Sequence, residues 1–233
     1  KEKFRANIMA IQLLKNCEQE NLNATPDEQE ILSRYVGWGG LADAFDETKS
    51  AWETEYLELK TVLTPEEYAA ARASTLNAHY TQPIVIESMY QALENLGFTK
   101  GNILEPSMGV GNFFGMLPEK LNQSKLYGVE LDSISGRIAK LLYPDANIQI
   151  KGFEKTDYPN DFFDVAIGNV PFGAYKVNDR QYDRYNFMIH DYFLAKTIDQ
   201  LRPGGVAALI TTKGTMYKAS PEVRKYLAER ADL

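Results

Sequence analysis

Apolar residues recur at helical spacing along the first part of the chain. Phe4, Ile8, Ile11 and Leu14 fall three or four positions apart, with Leu13 beside them, which predicts an amphipathic helix. Thr25-Pro26-Asp27-Glu28 then reads as a helix start, with an N-cap threonine, a proline at the first helical position and two acids in the first turn. Leu32, Tyr35 and Val36 continue that pattern until Gly37-Trp38-Gly39-Gly40 breaks it. Thr64-Pro65-Glu66-Glu67 repeats the start signal ahead of Tyr68 and an alanine-rich stretch. Residues 1–77 are therefore expected to be a helical lead-in. No Lys-Ser/Thr follows the glycines at 37–40, so they are no phosphate loop. The expectation there is a turn whose Trp38 is buried against the main domain.

From residue 78 the period changes. Asn102–Glu105 reads as a strand and Gly111–Leu117 as a helix. Lys125–Glu130 is a second strand and Ser133–Leu142 a helix. A third strand falls at 148–150 and a fourth at Asp164–Gly168, around Val165-Ala166-Ile167. Asp191–Leu201 predicts a helix ended by Arg202-Pro203-Gly204-Gly205, Val206–Thr211 a fifth strand, and Pro221–Arg230 a last helix. Alternation of this kind implies an α/β fold: a Rossmann-like, mostly parallel sheet with flanking helices over residues 78–233, preceded by the helical segment. Ligands of such sheets bind beyond the carboxyl ends of the strands.

Composition narrows the classes. The chain has 233 residues, enough for one such domain plus its lead-in. It holds no apolar run long enough to span a bilayer, and its single cysteine, Cys17, fits a reducing cytoplasm. With one cysteine and two histidines no metal site is expected. A net charge of −7 places a strong grip on nucleic acid outside this segment. Starting at Lys1 without a methionine, the chain reads as a piece of something longer.

Three strand ends carry chemistry. The first runs into Glu105-Pro106-Ser107-Met108-Gly109-Val110-Gly111, where two glycines allow a tight turn and close backbone approach by a ligand. An acid at Glu105 would repel a pyrophosphate and suits a cationic ligand, such as a sulfonium bearing an amino group. The second strand ends at Glu130, about twenty residues past the glycines, where a carboxylate can accept from ribose hydroxyls. Asp132 beside it is placed to cap the next helix. The fourth strand emerges as Asn169-Val170-Pro171-Phe172-Gly173. There an amide oxygen and an adjacent carbonyl can hold one amino group, Pro171 stiffens the turn, and Phe172 offers a face for a planar base.

Together these segments resemble the class I S-adenosylmethionine-dependent N6-adenine DNA methyltransferases, whose catalytic tetrapeptide is Asn/Asp-Pro-Pro-Tyr/Phe. The resemblance covers about residues 78–215. It implies S-adenosyl-L-methionine as cofactor, bound by Glu105, Pro106, Gly109, Gly111 and Glu130. It implies Asn169, Val170, Pro171 and Phe172 as the catalytic segment, with Asn169 also beside the cofactor, and DNA adenine as substrate. His79-Tyr80-Thr81-Gln82-Pro83 resembles the segment touching the methionine end of the cofactor, with Thr81 as the contact, a role compatible with its also being an N-cap before Pro83. Two positions depart from the pattern. Val170 stands where the family has its first proline, and Lys151-Gly152-Phe153-Glu154 lacks the usual adenine-binding acid. Phe153 is then the candidate cover for the adenine ring, and Glu154 the substitute acid. The lead-in with Tyr35–Gly40 also resembles methylase regions of large proteins of mobile elements, in which a helicase-like part follows. That implies a larger polypeptide with target recognition outside this chain, and a truncated C-terminus. The loop 175–186, with basic residues alternating with tyrosines, suits contact around an extruded base, while its two aspartates, Asp179 and Asp183, count against that and leave a solvated, mobile loop as the alternative. A protein glutamine side chain as methyl acceptor, and a non-catalytic cofactor-binding module of a DNA-processing protein, remain alternatives.

Overall fold

The computed structural model describes residues 1–75 and 81–232. In chain order its helices and strands are α1 (Glu2–Glu20), α2 (Pro26–Ser33), α3 (Glu53–Val62), α4 (Pro65–Ser74), α5 (Pro83–Asn95), β1 (Asn102–Glu105), α6 (Asn112–Gly115), β2 (Lys125–Glu130), α7 (Ser133–Leu142), β3 (Asn147–Ile150), β4 (Phe163–Asn169), α8 (Ile189–Gln200), β5 (Leu201–Ile210), α9 (Gly214–Tyr217) and α10 (Glu222–Ala228). They form two compact units, Lys1–Tyr80 with Asp132–Pro144, and Thr81–Leu131 with Asp145–Leu233. The expected boundary at residues 77 and 78 lies outside the described residues.

The first unit is helical. Both start signals are complete capping boxes. Thr25 and Thr64 each accept from the amide three residues on, while Glu28 and Glu67 accept from the threonine amides. One face of α1 buries Phe4, Ile8, Ile11 and Leu14. Trp38 is buried too, and its ring partners belong to this unit: Phe4, Tyr35 and Phe45 at 5.3–6.4 Å. The glycine turn thus turns the indole into the unit's own core. Helix α7, although it joins β2 to β3, clusters with these helices, and its Arg137 forks onto Glu18 and bonds Glu67.

The second unit is a five-stranded sheet of order β3-β2-β1-β4-β5, parallel throughout. Parallel strands buried on both faces read as continuous apolar runs, which is why Val165-Ala166-Ile167 was legible as a strand. One difference concerns β5, which begins at Leu201 instead of Val206. Leu201 pairs with Phe163 and Val206 with Val165, so Arg202–Gly205 is extra chain inside the ladder. Gly204 at φ +79 lets that bulge form, so the proline-glycine run interrupts a strand as well as ending α8. On one face of the sheet α5 buries Ile86, Tyr90 and Leu93, while Tyr192, Phe193 and Ala195 of α8 pack in the other core. The carboxyl ends of β1, β2 and β4 therefore share one edge.

Candidate active site

At the end of β1 the chain turns through Gly109 at φ +56 and Gly111 at φ +85, a left-handed conformation that a Cβ would strain. A Cβ at Gly109 would meet nothing within 4 Å, so the backbone there borders open space. The amide of Gly109 donates to Oε2 of Glu130 at 2.7 Å. The strand-end acid thus fastens the glycine loop to β2. Asp132 caps α7, accepting from the Ser135 amide at 2.8 Å.

Glu105 is 1% exposed, and its Oε2 is buried with no partner in the protein. Burial, with the nearby charge of Glu130, lifts its carboxyl well above the usual carboxylate range. Pro106 is buried behind it. Glu105 also approaches β4 closely: a Cβ at Gly168 would sit 3.4 Å from Cγ of Glu105.

Asn169 closes β4. Its Nδ2 donates to Oγ1 of Thr81 at 3.2 Å, and its Oδ1 is buried without a protein partner. Thr81 is therefore not the N-cap of α5; Gln82 holds that position and makes no side-chain cap. The flanking His79 and Tyr80 lie outside the described residues. Val170 is 1% exposed, and its amide donates to the Ile210 carbonyl at 3.1 Å, extending the β4–β5 ladder into the turn. Pro171 and Phe172 are half-buried.

Phe153 presents no open face. It is 2% exposed and packs on Phe193 at 4.9 Å and Tyr192 at 6.3 Å, while its carbonyl accepts from Lys196 at 2.8 Å. The Glu154 carboxylate folds back over Gly152, whose Cβ it would obstruct. The loop 175–186 also differs from a solvated basic strand. Tyr182 is buried and donates to Asp199 at 2.8 Å, and Tyr185 stacks on Phe187 at 5.2 Å. Asp179, counted against that loop in the sequence, is its anchor: it accepts from Tyr192 at 2.7 Å and pairs with Lys196. The partners Lys196, Tyr192 and Asp199, the first two buried, were missed by sequence reasoning. A lysine in the middle of an apolar helix was the one signal available.

The arrangement brings Thr81, Glu105, Gly109, Glu130 and Asn169 into one connected set at the strand ends. Two buried acceptors there have no protein donor, an arrangement that costs desolvation energy unless a ligand donates to them. Acceptors of this kind, at the carboxyl ends of an all-parallel sheet, suit donors such as a cation or an amino group. Residues 63–233 match the family model described as N-6 DNA Methylase, and the chain belongs to that family. It is 31% identical over 215 residues to defense against restriction protein B of Escherichia phage P1, covering 88% of this chain and 8% of that protein. The type I restriction-modification system methyltransferase subunit from Streptococcus thermophilus superposes with TM-score 0.55 at 13% identity, over 96% of this chain and 59% of that one. A modification subunit of a candidate type I restriction enzyme from Vibrio vulnificus gives TM-score 0.53 at 17% identity, over 86% and 46%. The chain thus spans under a tenth of its phage relative and about half of these two subunits.

Proposed function

We propose that this domain transfers a methyl group from S-adenosylmethionine to the N6 amino group of adenine in DNA. The observation that carries the reading is the buried, unpartnered Oδ1 of Asn169, held in orientation by Thr81. An exocyclic amino group is a weak nucleophile because its lone pair is delocalised into the ring. Accepting one of its N–H bonds at Asn169 Oδ1, and another at the Val170 carbonyl, orients the nitrogen and draws electron density toward it. Phe172, half-buried at the turn, is placed to stack on the base.

S-adenosylmethionine is the expected cofactor, and when bound it supplies an electrophilic methyl carried by a sulfonium. The chain's own residues fit it. Glu105, buried with a free acceptor oxygen, suits the cationic amino-acid end. The open side of Gly109 admits a ligand against the backbone. Glu130 lies at the ribose position while bracing the glycine loop through the Gly109 amide. Phe153 would support an adenine through the wall it builds with Phe193.

The family and the two structural relatives support DNA as the acceptor. We place target recognition, and a helicase-like part, in a larger polypeptide, consistent with the small share of the phage protein that this chain spans. The test is transfer of a labelled methyl group. Wild-type protein should label DNA at adenine N6, and Asn169→Ala should lower the rate by at least about a hundredfold, the usual scale for removing a group that orients and polarises the reacting centre. Label appearing in protein glutamine instead would move the reading to the other planar amide; label appearing in neither would leave a cofactor-binding module.

A further inference from the structure

Two tyrosines on the sheet unit are exposed beside the catalytic turn, and their exposure has no account in stability. Tyr175 is 49% exposed and Tyr217 85%. Most other rings of the same loop are turned inward, as Tyr182 and Phe187 show. Tyr175 follows Phe172 by three residues, and its ring lies against Gly173: a Cβ there would come within 2.7 Å of Cε1. Tyr217 ends the short segment that leaves β5 at Ile210, whose carbonyl accepts from Val170. Tyr175 thus follows the turn that ends β4, and Tyr217 lies on the segment that follows β5, the strand paired with β4.

Both are also fastened to the first turn of α8. The Tyr175 carbonyl accepts from the Ile189 amide at 2.9 Å. Asp191, two residues on and 0% exposed, pairs with Lys218 next to Tyr217. Arg224 closes on the Lys218 carbonyl at 2.7 Å, and Thr215 is fully buried beneath. Burying a carboxylate and exposing two large rings each cost free energy. Rigid attachment of exposed rings makes sense where the rings meet a ligand.

Charge identifies that ligand. Residues 170–190 hold three basic and two acidic side chains, and residues 211–225 four and one, a net of +4 within a chain of net −7. Lys176, Arg180, Arg184, Lys213 and Lys225 of these segments are exposed. Basic side chains interleaved with exposed aromatic rings match a polynucleotide strand, in which phosphates alternate with planar bases.

We propose that Tyr175 and Tyr217 are stacking platforms for the nucleotides on either side of the target base, with the surrounding lysines and arginines on the strand's phosphates. This rests on the DNA-methylation reading and extends it to a local strand-binding face. The target strand is held open at its neighbours as well as at the methylated base.

The test is fluorescence anisotropy with a labelled single-stranded oligonucleotide containing adenine, alongside calorimetry with S-adenosylmethionine and methyl transfer to the same oligonucleotide. Tyr175→Ala and Tyr217→Ala should each weaken the oligonucleotide about five- to a hundredfold, the range for losing one stacked base. Tyr175→Phe and Tyr217→Phe should bind as wild type, because the ring and not the hydroxyl stacks. Cofactor affinity should be the same in all four, which shows that the variants are folded. If the wild type methylates the oligonucleotide while both alanine variants bind it unchanged, this inference falls and the methylation reading stands. If the wild type neither binds nor methylates it but labels protein, both fall.

Discussion

The side-chain amide of Asn169 donates to the Thr81 hydroxyl at 3.2 Å, across 88 positions of sequence, and this contact anchors the amide at the end of β4. With Nδ2 engaged, Oδ1 is the end that has no protein partner. An asparagine that is to hold a substrate amino group, as proposed, needs its side chain fixed in place, and the Thr81 contact restricts its rotation.

Thr81→Val keeps the shape of the side chain and removes the acceptor. The amide then loses an anchoring hydrogen bond, and a share of molecules holds it in orientations that do not meet the substrate amino group. One neutral hydrogen bond is worth about 0.5–1.5 kcal/mol, so the turnover number should fall roughly three- to tenfold. Thr81→Ser should restore it. Single-turnover methyl transfer reads the effect, and a valine variant with an undiminished rate removes Thr81 from the site.

Glu105 makes cofactor binding depend on pH. In the free protein burial, joined by the charge of Glu130, holds its carboxyl well above the usual range, so it keeps its proton at pH values where an ordinary glutamate has lost it. A cationic ligand favours the ionised form. Binding therefore releases a proton, and affinity rises with pH until the free-state value is passed. Below that point the dissociation constant for S-adenosylmethionine should increase about tenfold per pH unit. Glu105→Gln should bind more weakly and without the slope. The same shift has a stability sign: the folded form holds its proton more tightly than the unfolded one, so stability falls as pH rises between the two values, and Glu105→Gln should melt higher at the alkaline end.

In the helical unit the sign is opposite. Burial pushes Glu67 up, but hydrogen bonds from Arg137, Lys15 and the Thr64 amide overcome it and bring the carboxyl down to about 2. The stability this contributes is present above the unfolded value and is lost as pH falls through the acid range toward about 2. Glu67→Gln should lower the melting temperature at neutral pH and flatten its fall on acidification. Circular dichroism melts between neutral and acid pH check this. A variant whose acid transition tracks wild type would show that the Arg137 and Lys15 bonds add nothing.

Local pattern carried much of this fold. The bounds of β1, β2 and α7 follow from apolar runs, from Glu105 and Glu130 at the strand ends, and from Asp132 as a cap, all encoded within a few residues. The family resemblance added the roles. What was illegible is long-range. The Thr81–Asn169 bond joins segments 88 apart and the Gly109–Glu130 bond segments 21 apart, and no periodicity records which side chain reaches across. The inward tyrosines at 182 and 185 read as polar loop because the partners that bury them, Asp199, Phe187 and Tyr226, depend on how α8 and α10 pack. The bulge at Arg202–Gly205 was hidden because proline and glycine look alike as a terminator and as an insertion in a ladder.

Val170, where the tetrapeptide pattern that this chain resembles has its first proline, gives the last prediction. A proline there has no amide hydrogen, yet this chain uses that hydrogen: it donates to the Ile210 carbonyl at 3.1 Å and ties the catalytic turn to the segment that bears Tyr217. The valine side chain is 1% exposed and packs in the core shared with Tyr182 and Phe187. Val170→Pro brings the motif closer to the family and should still weaken the protein. The lost bond and the carbonyl left without a donor together cost about 1–3 kcal/mol, visible as a lower denaturant midpoint with an unchanged slope. Methyl transfer should fall with it, because the turn that presents Asn169 loses its tie to β5. A proline variant as stable as wild type and faster in transfer would instead mark the valine as a defect in the motif.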